Sequence, residues 1–451
     1  MVAALFYGPL GSLLGLSGGC DSLPPTTYSG EKEVVALEEW SDAWLLAEGR
    51  RYRSDLAHRR ASMLAALVNH DNLYSRTRIA SYGHGDRGWD RLPEWNPRSR
   101  TITVRDRRTL ENDERVALGE REPLWDGETP TSMRGWVDLG RRVFFEYPLR
   151  ADRWLEHGLT DREVAEGFGI LETASGETPG AIVFRDLDGE DRVGISCAIC
   201  HTAVSDTGMV AGQARREFNY GSLQLWSARE RDRPLDPALA ERMAHWGPGR
   251  ADITEDDDED PVAIPDLWGL RHQSHFTQAG TIKHIGPVAI ALRQETQYLY
   301  ANHHRSRPPR TLMWALTMYL YALSPPARGS SSTDHSSGEE LFRELCADCH
   351  SNPVYGGQPV NAEQVGTDPG LSRGIARGTG RYRPSSLIRA AARGPYFHHG
   401  AVATLEDVVS PRRLADDYEG PLGRGAVPGH EYGLNLDATE RETLLGYLRT
   451  L

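Results

Sequence analysis

Two short stretches constrain this 451-residue chain more than anything else in it: Cys197-Ala-Ile-Cys200-His201 and Cys346-Ala-Asp-Cys349-His350. With five Cys and 16 His in the chain, composition alone would supply roughly 0.002 copies of Cys-x-x-Cys-His. Two copies that consume four of the five Cys are therefore not accidental. In this pattern the two thiols add across the vinyl groups of haem, and the adjacent His takes the iron. A zinc site would need two further soft ligands, and no third Cys lies near either pair. A thiol-redox pair has no need of the following His. The expectation is two covalently bound haem c groups on Cys197, Cys200, Cys346 and Cys349, with His201 and His350 as iron ligands.

The motifs lie 149 residues apart (346 less 197), and the length allows two to four domains, so two separate haem domains fit better than one shared core. A formal charge of −13 leaves no basic face for nucleic acid. Lys32 and Lys283 are the only lysines, so nearly all the positive charge is Arg, which reads as base-composition bias. Hydrophobic residues at 39% and a negative mean hydropathy describe a soluble globular protein.

The fifth Cys is informative by position. Small and apolar residues 2–19 run into Cys20, and a polar Pro-rich stretch follows, as in a bacterial lipoprotein signal whose Cys becomes the lipidated N-terminus. The stretch lacks a preceding Lys or Arg, and Ser17 stands where leucine is usual. An ordinary cleaved signal and a retained apolar N-terminus are the other readings. Thioether haem also requires export, so the expected location is the periplasm or the outer face of a membrane. No other stretch reaches the ~18 apolar residues of a membrane span, which leaves a lipid anchor as the expected membrane contact.

In chain order, residues 1–20 read as the signal and 21–135 as a tether and accessory region, helical over about 38–69 and irregular from 74 to 125 with a short strand near 101–104. The first haem domain spans 136–323. Its periodicity predicts a helix from 136 to the stop at Pro148, another over 161–167, a strand over 181–184, a short helix over 238–244 and an amphipathic helix over 311–323. The acidic run 255–260 reads as a solvated loop, with Ca²⁺ binding a weaker option. The Pro/Ser-rich stretch 324–337 is a linker. The second haem domain spans 338–451, with helices predicted at 338–345, 385–392, 404–409 and 439–451. This plan is similar to a class I cytochrome c fold. The fold class expected is mainly α, two class I cytochrome c-like haem domains plus an N-terminal accessory helical and irregular region.

The residues Leu139-Gly-Arg-Arg-Val-Phe-Phe145, Pro148-Leu149, both Cys-x-x-Cys-His sites, Gly338-x-x-Leu341-Phe342 and Pro395-Tyr-Phe-His398-His-Gly400 with Thr404-Leu-Glu-Asp-Val-Val409 resemble the bacterial di-haem cytochrome c peroxidase family. Its relatives include the di-haem enzyme that matures methylamine dehydrogenase and, more distantly, the bacterial rubber oxygenase. The likeness covers roughly 136–451. It implies one His/Met-ligated relay haem and a second haem that binds peroxide, with His398 given a catalytic place beside the latter. The family's Met is expected just after 404–409, but the chain reads Ser410-Pro-Arg-Arg-Leu there and holds no Met after Met318. His430 is the first replacement ligand for the second haem, helped by a similar placement in the rubber oxygenase group, and His398 is the alternative. For the first haem's sixth position His275, His245 and His284 rank in that order, and Met209, Met243 and Met313 are conceivable.

Three functions remain in play at this point. One is a peroxidase-type enzyme fed by a small donor cytochrome or copper protein, the second a non-catalytic electron relay with both irons six-coordinate, and the third, weaker, an O₂-activating enzyme of rubber-oxygenase type. The missing Met and the many His favour the relay; the Pro-Tyr-Phe-His segment and the two-domain plan favour the peroxidase.

Overall fold

A glycine on one helix of each haem-motif unit lets a second helix pack closely against it. The computed structural model describes residues 40–205, 208–233, 235–252, 254, 256, 260–327 and 334–451; Cys20 and the signal-type stretch lie outside them. In the first unit, Ser132 caps the Met133–Glu146 helix by accepting the Gly135 N–H at 3.1 Å. That helix packs along Arg310–Ala322. They touch at Gly140, where a Cβ would overlap the Ala315 carbonyl oxygen and lie 2.7 Å from Tyr319 Cβ. In the second unit, Ser336–Leu345 packs on Ala438–Leu448, whose start is closed by an Asp437/Glu440 capping box. There Gly338 meets the Thr443 carbonyl, with Tyr447 Cβ again 2.7 Å from the built Cβ. An aromatic pair follows each crossing: Phe144 with Tyr319 at 5.3 Å between ring centres, and Phe342 with Tyr447 at 5.4 Å. The two units are thus built on one plan.

The correspondence extends downstream at a constant spacing of 120 residues (396 less 276, 400 less 280). Phe276 pairs with Ile282 as Tyr396 pairs with Val402. Thr277 and Phe397 both adopt positive φ, 70° and 68°, and Gly280 and Gly400 close the same turn.

The chain is helix-rich with small sheets. The four-stranded sheet runs Ser99–Thr103, Glu177–Arg185, Asp191–Ile195, Arg150–Ala151 in spatial order, with antiparallel neighbours. Its first strand comes from the accessory region, so that region shares a sheet with the first haem-motif unit. A buried polar knot ties it further: the hydroxyls of Tyr52 and Tyr82 each donate to Glu295 Oε2 at 2.7 Å, and Arg310 meets Oε1 at 3.1 Å.

Several elements differ from expectation for identifiable reasons. The 38–69 pattern is two helices, Asp42–Ser54 and Leu56–Ala66, because Asp55 leaves helical geometry to cap the second. The stretch 74–125 holds the helices Leu73–Ser81 (entered from 73) and Val104–Glu111. The predicted 385–392 helix is only a single 3₁₀ turn, Ala390–Ala392, since Arg389 takes a left-handed φ of 60° and gives its N–H to the Leu451 carbonyl. Pro287–Ala301 escaped prediction because it is buried on almost every side and shows no amphipathic period. Among the described residues no helix is long and apolar enough to cross a membrane.

Gly140→Ala and Gly338→Ala are each expected to lower stability by about 1–3 kcal/mol, outweighing the helix-propensity gain of up to about 1 kcal/mol. The check is the urea unfolding midpoint of each variant against the parent chain.

Candidate functional site

Each Cys-x-x-Cys-His segment coils into one tight turn whose last residue bonds back to its first. The His201 N–H reaches the Cys197 carbonyl at 3.2 Å, and the His350 N–H the Cys346 carbonyl at 2.9 Å. The first turn lies directly on Gly180, at φ 86°, where any Cβ would overlap the Ile199 backbone nitrogen. The second follows the Ser336–Leu345 helix, with the Cys346 N–H bonded to Phe342 at 2.8 Å.

Both imidazoles are pinned through Nδ1. His201 Nδ1 lies 3.0 Å from the Pro265 carbonyl oxygen and His350 Nδ1 2.9 Å from that of Tyr355. A carbonyl only accepts, so each Nδ1 carries the hydrogen and each Nε2 keeps its lone pair. Burial pushes His201 down to about 4 and also lowers His350, so both rings are neutral, the form a metal requires. Burial acts in the opposite direction on the thiols, raising Cys200 to about 12 and Cys346 to about 11. Burial thus favours the neutral form of both thiols.

Each turn opens on a cavity, about 280 Å³ at the first and about 450 Å³ at the second. At the second, His430 lines the wall opposite His350, with ring centres 6.4 Å apart and planes at 68°. An ion bonded to both rings at about 2 Å would hold their centres roughly 6.3 Å apart. His430 is held there by the buried Arg413, whose guanidinium donates to the carbonyls of Val408, Val427, Gly429 and His430 at 2.5–3.2 Å. Burial lowers His430 to about 4. The donor set of each turn, its neutral ring and the hollow beside it fit a covalently attached tetrapyrrole.

The first cavity is different. No second His and no Met lines it among the described residues. His284 packs away from it, with Nδ1 donating to Gln273 O at 2.7 Å and Nε2 accepting from Tyr321 at 2.6 Å. His275 sits beside Ser274 Oγ at 3.1 Å, and the exposed His245 folds back on Glu241 O at 2.7 Å. Met243 and Met313 are in separate apolar cores and Met209 is exposed. His398 lines the second cavity rather than the first, stacked on Tyr382 at 4.0 Å. Of the expected ligand positions, the structure brings His350 and His430 together and, among the described residues, leaves His201 without a facing His or Met. For calcium, most of 255–260 lies outside the described residues, and among those described no three acidic, His or Cys side chains gather as an ion's ligand set.

What the sequence missed is Gln224. It is fully buried, lines the first cavity, and neither its amide nitrogen nor its oxygen has a hydrogen-bond partner. Four residues earlier on the same helix, Tyr220 joins Arg150 and Asp152 in a buried hydrogen-bonded group on the same cavity. The available signal was the Tyr220/Gln224 spacing, which puts two polar residues on one face of Tyr220–Glu230.

No family model matches the sequence, and no curated protein matches it. Among 29 solved chains that match by structure, a MauG-like protein associated with microbial copper homeostasis is 19% identical, with a TM-score of 0.31, over 45% of this chain and 77% of that one. A hydrazine synthase of Kuenenia stuttgartiensis is 18% identical, with a TM-score of 0.33, over 75% of this chain and 98% of that one. Neither superposition is close enough to say more.

The buried neutral His284 gives a pH prediction. Its folded value, about 4, lies below the unfolded value of about 6.5, so the folded chain binds fewer protons. Its contribution is complete above about pH 6.5 and is lost as pH falls toward 4, on the order of 3 kcal/mol. Urea midpoints across that range should fall with pH in the haem-loaded protein, and His284→Gln should flatten that slope.

Proposed function

We propose that this chain is an exported di-haem c-type oxidoreductase in which the second site relays electrons and the first site meets the substrate, with hydrogen peroxide as the substrate class favoured. The observation that carries this reading is the asymmetry of the two cavities. His430 faces His350 across one, whereas the first presents His201 with no facing His or Met and a fully buried, unpartnered Gln224.

Haem, bound at each turn, would supply the one-electron chemistry and, where a face is open, would hold the oxidising equivalents that peroxide delivers until the donor's electrons arrive. Cys197 and Cys200 would hold one group and Cys346 and Cys349 the other. His201 and His350 would present Nε2 to the metal, each ring fixed by its carbonyl. Two imidazoles at the second site suit a carrier that changes charge without changing ligands. At the first, Gln224 offers both a donor and an acceptor, which matches the peroxide or water molecule that an open face admits. The Arg150, Asp152 and Tyr220 group, bonded within itself, keeps the neighbouring wall polar and holds Tyr220 in place. His398, on the second cavity wall, supports that site instead of serving as a proton carrier at the first. A small cytochrome or copper protein would be the electron donor, and a lipid on Cys20 the membrane attachment.

The alternative, a relay without chemistry, draws on the bis-imidazole geometry of the second site alone. Low-temperature EPR of the oxidised, haem-loaded protein separates the two. The expected result is one low-spin bis-His signal and one high-spin signal that changes when peroxide is added to the half-reduced form, with His430→Gly turning the low-spin signal high-spin. Two low-spin signals unmoved by peroxide would overturn the enzymatic reading.

A further inference from the structure

The two cavities share a wall. Pro265, Asp266, Gln273, Gln278 and Arg383 line both, and Pro265 is the residue whose carbonyl fixes His201. Asp266 is balanced within the protein: Arg216 meets it at 3.0 Å, Arg393 at 3.1 Å and the Ala214 N–H at 2.8 Å. Arg383 is not. It is 9% exposed, and its guanidinium donates only to the carbonyls of Thr277 at 3.2 Å and Pro384 at 3.5 Å. No carboxylate lies within ion-pair distance of it among the described residues, and the charge that bears on it is another cation, Arg393. Desolvation holds its ionisation down to about 10, still charged at neutral pH.

A buried cation without a counter-ion is costly, by several kcal/mol even after relaxation, and the compensation must come from what fills the cavities. A guanidinium has five donors in a planar fork, enough to serve two carboxylates from two sides. Resting on the di-haem reading above, we propose that Arg383 is a shared carboxylate-binding residue, which takes one propionate from the group in each cavity, so that a single positive charge raises the reduction potential at both sites.

The test is spectroelectrochemical titration of the haem-loaded full chain, after a pyridine haemochrome assay has counted its haems. Fewer than two covalent haems would defeat the di-haem reading before Arg383 is tested. With two present, Arg383→Gln should make both haems harder to reduce, each reduction equilibrium falling by roughly tenfold, the size expected of one charge about 10 Å away at an effective dielectric near 20. A shift at only one haem would overturn the shared role, and no shift would overturn carboxylate binding. Should Arg383→Gln not load haem, Arg383→Lys keeps the charge but loses the fork. Resonance Raman should then show the propionate bending bands of both haems displaced, and bands that stay put would overturn the proposal. A free anion is the competing source of the counter-charge. Potentials of the parent protein that move with added inorganic phosphate, and stop doing so in Arg383→Gln, would reject the propionate assignment.

Discussion

Close contact between two helices at a residue without a side chain is what the rest of this molecule depends on. At Gly140 and at Gly338 the helix backbones come near enough for van der Waals contact with a facing carbonyl, and each crossing carries an aromatic pair one turn further on. These contacts leave the inward ends of each unit free to surround a hollow instead of a packed centre. Interiors are otherwise close-packed, and unfilled volume costs stability in proportion to its size. The hollows of about 280 and 450 Å³ therefore stand out beside the firm packing of the helix pairs.

The same logic applies to charge. The chain is acidic overall at −13, yet the side chains that line the hollows include Arg150, Arg293 and Arg383 at the first and Arg216, Arg383 and Arg393 at the second. Carboxylates of the protein offset part of this set, Asp152 at Arg150 and Asp266 at Arg216 and Arg393, whereas Arg383 has none within ion-pair distance among the described residues. Neutral imidazoles and protonated thiols complete the setting, since desolvation disfavours the charged form of both. The site chemistry is thus arranged by burial more than by ion pairs.

The two sites contrast within one backbone plan. The turn at 276–282 and the turn at 396–402 share backbone form, including the positive φ at Thr277 and Phe397, but Gln278-Ala279 stands where the second unit has His398-His399. The backbone geometry is the same and the side chains differ. The loop at 427–430, clasped by Arg413, brings His430 to the second cavity, and among the described residues no second imidazole lines the first.

Much of this was legible in the chain itself. Cys-x-x-Cys-His is a local chemical motif, so Cys197, Cys200, His201, Cys346, Cys349 and His350 could be named without a fold, and amphipathic helices such as Met133–Glu146 announce themselves because one face must be apolar; Arg310–Ala322, expected to be amphipathic, is instead buried on every side from Thr311 to Leu320. The choice of His430 also came from sequence, through the missing Met. The Pro287–Ala301 helix did not, since burial all round erases the period that marks a helix. Nor did Gln224 or Arg383, whose significance is a lost partner: an amide or a guanidinium is ordinary until folding removes water from it and offers nothing in return. The sequence by itself determined which atoms can bond a prosthetic group, because that chemistry is contained within five consecutive residues. Which imidazole faces which cavity, and which buried charge lacks its counter-ion, were decided only by the tertiary structure, because both depend on residues brought together from distant parts of the chain.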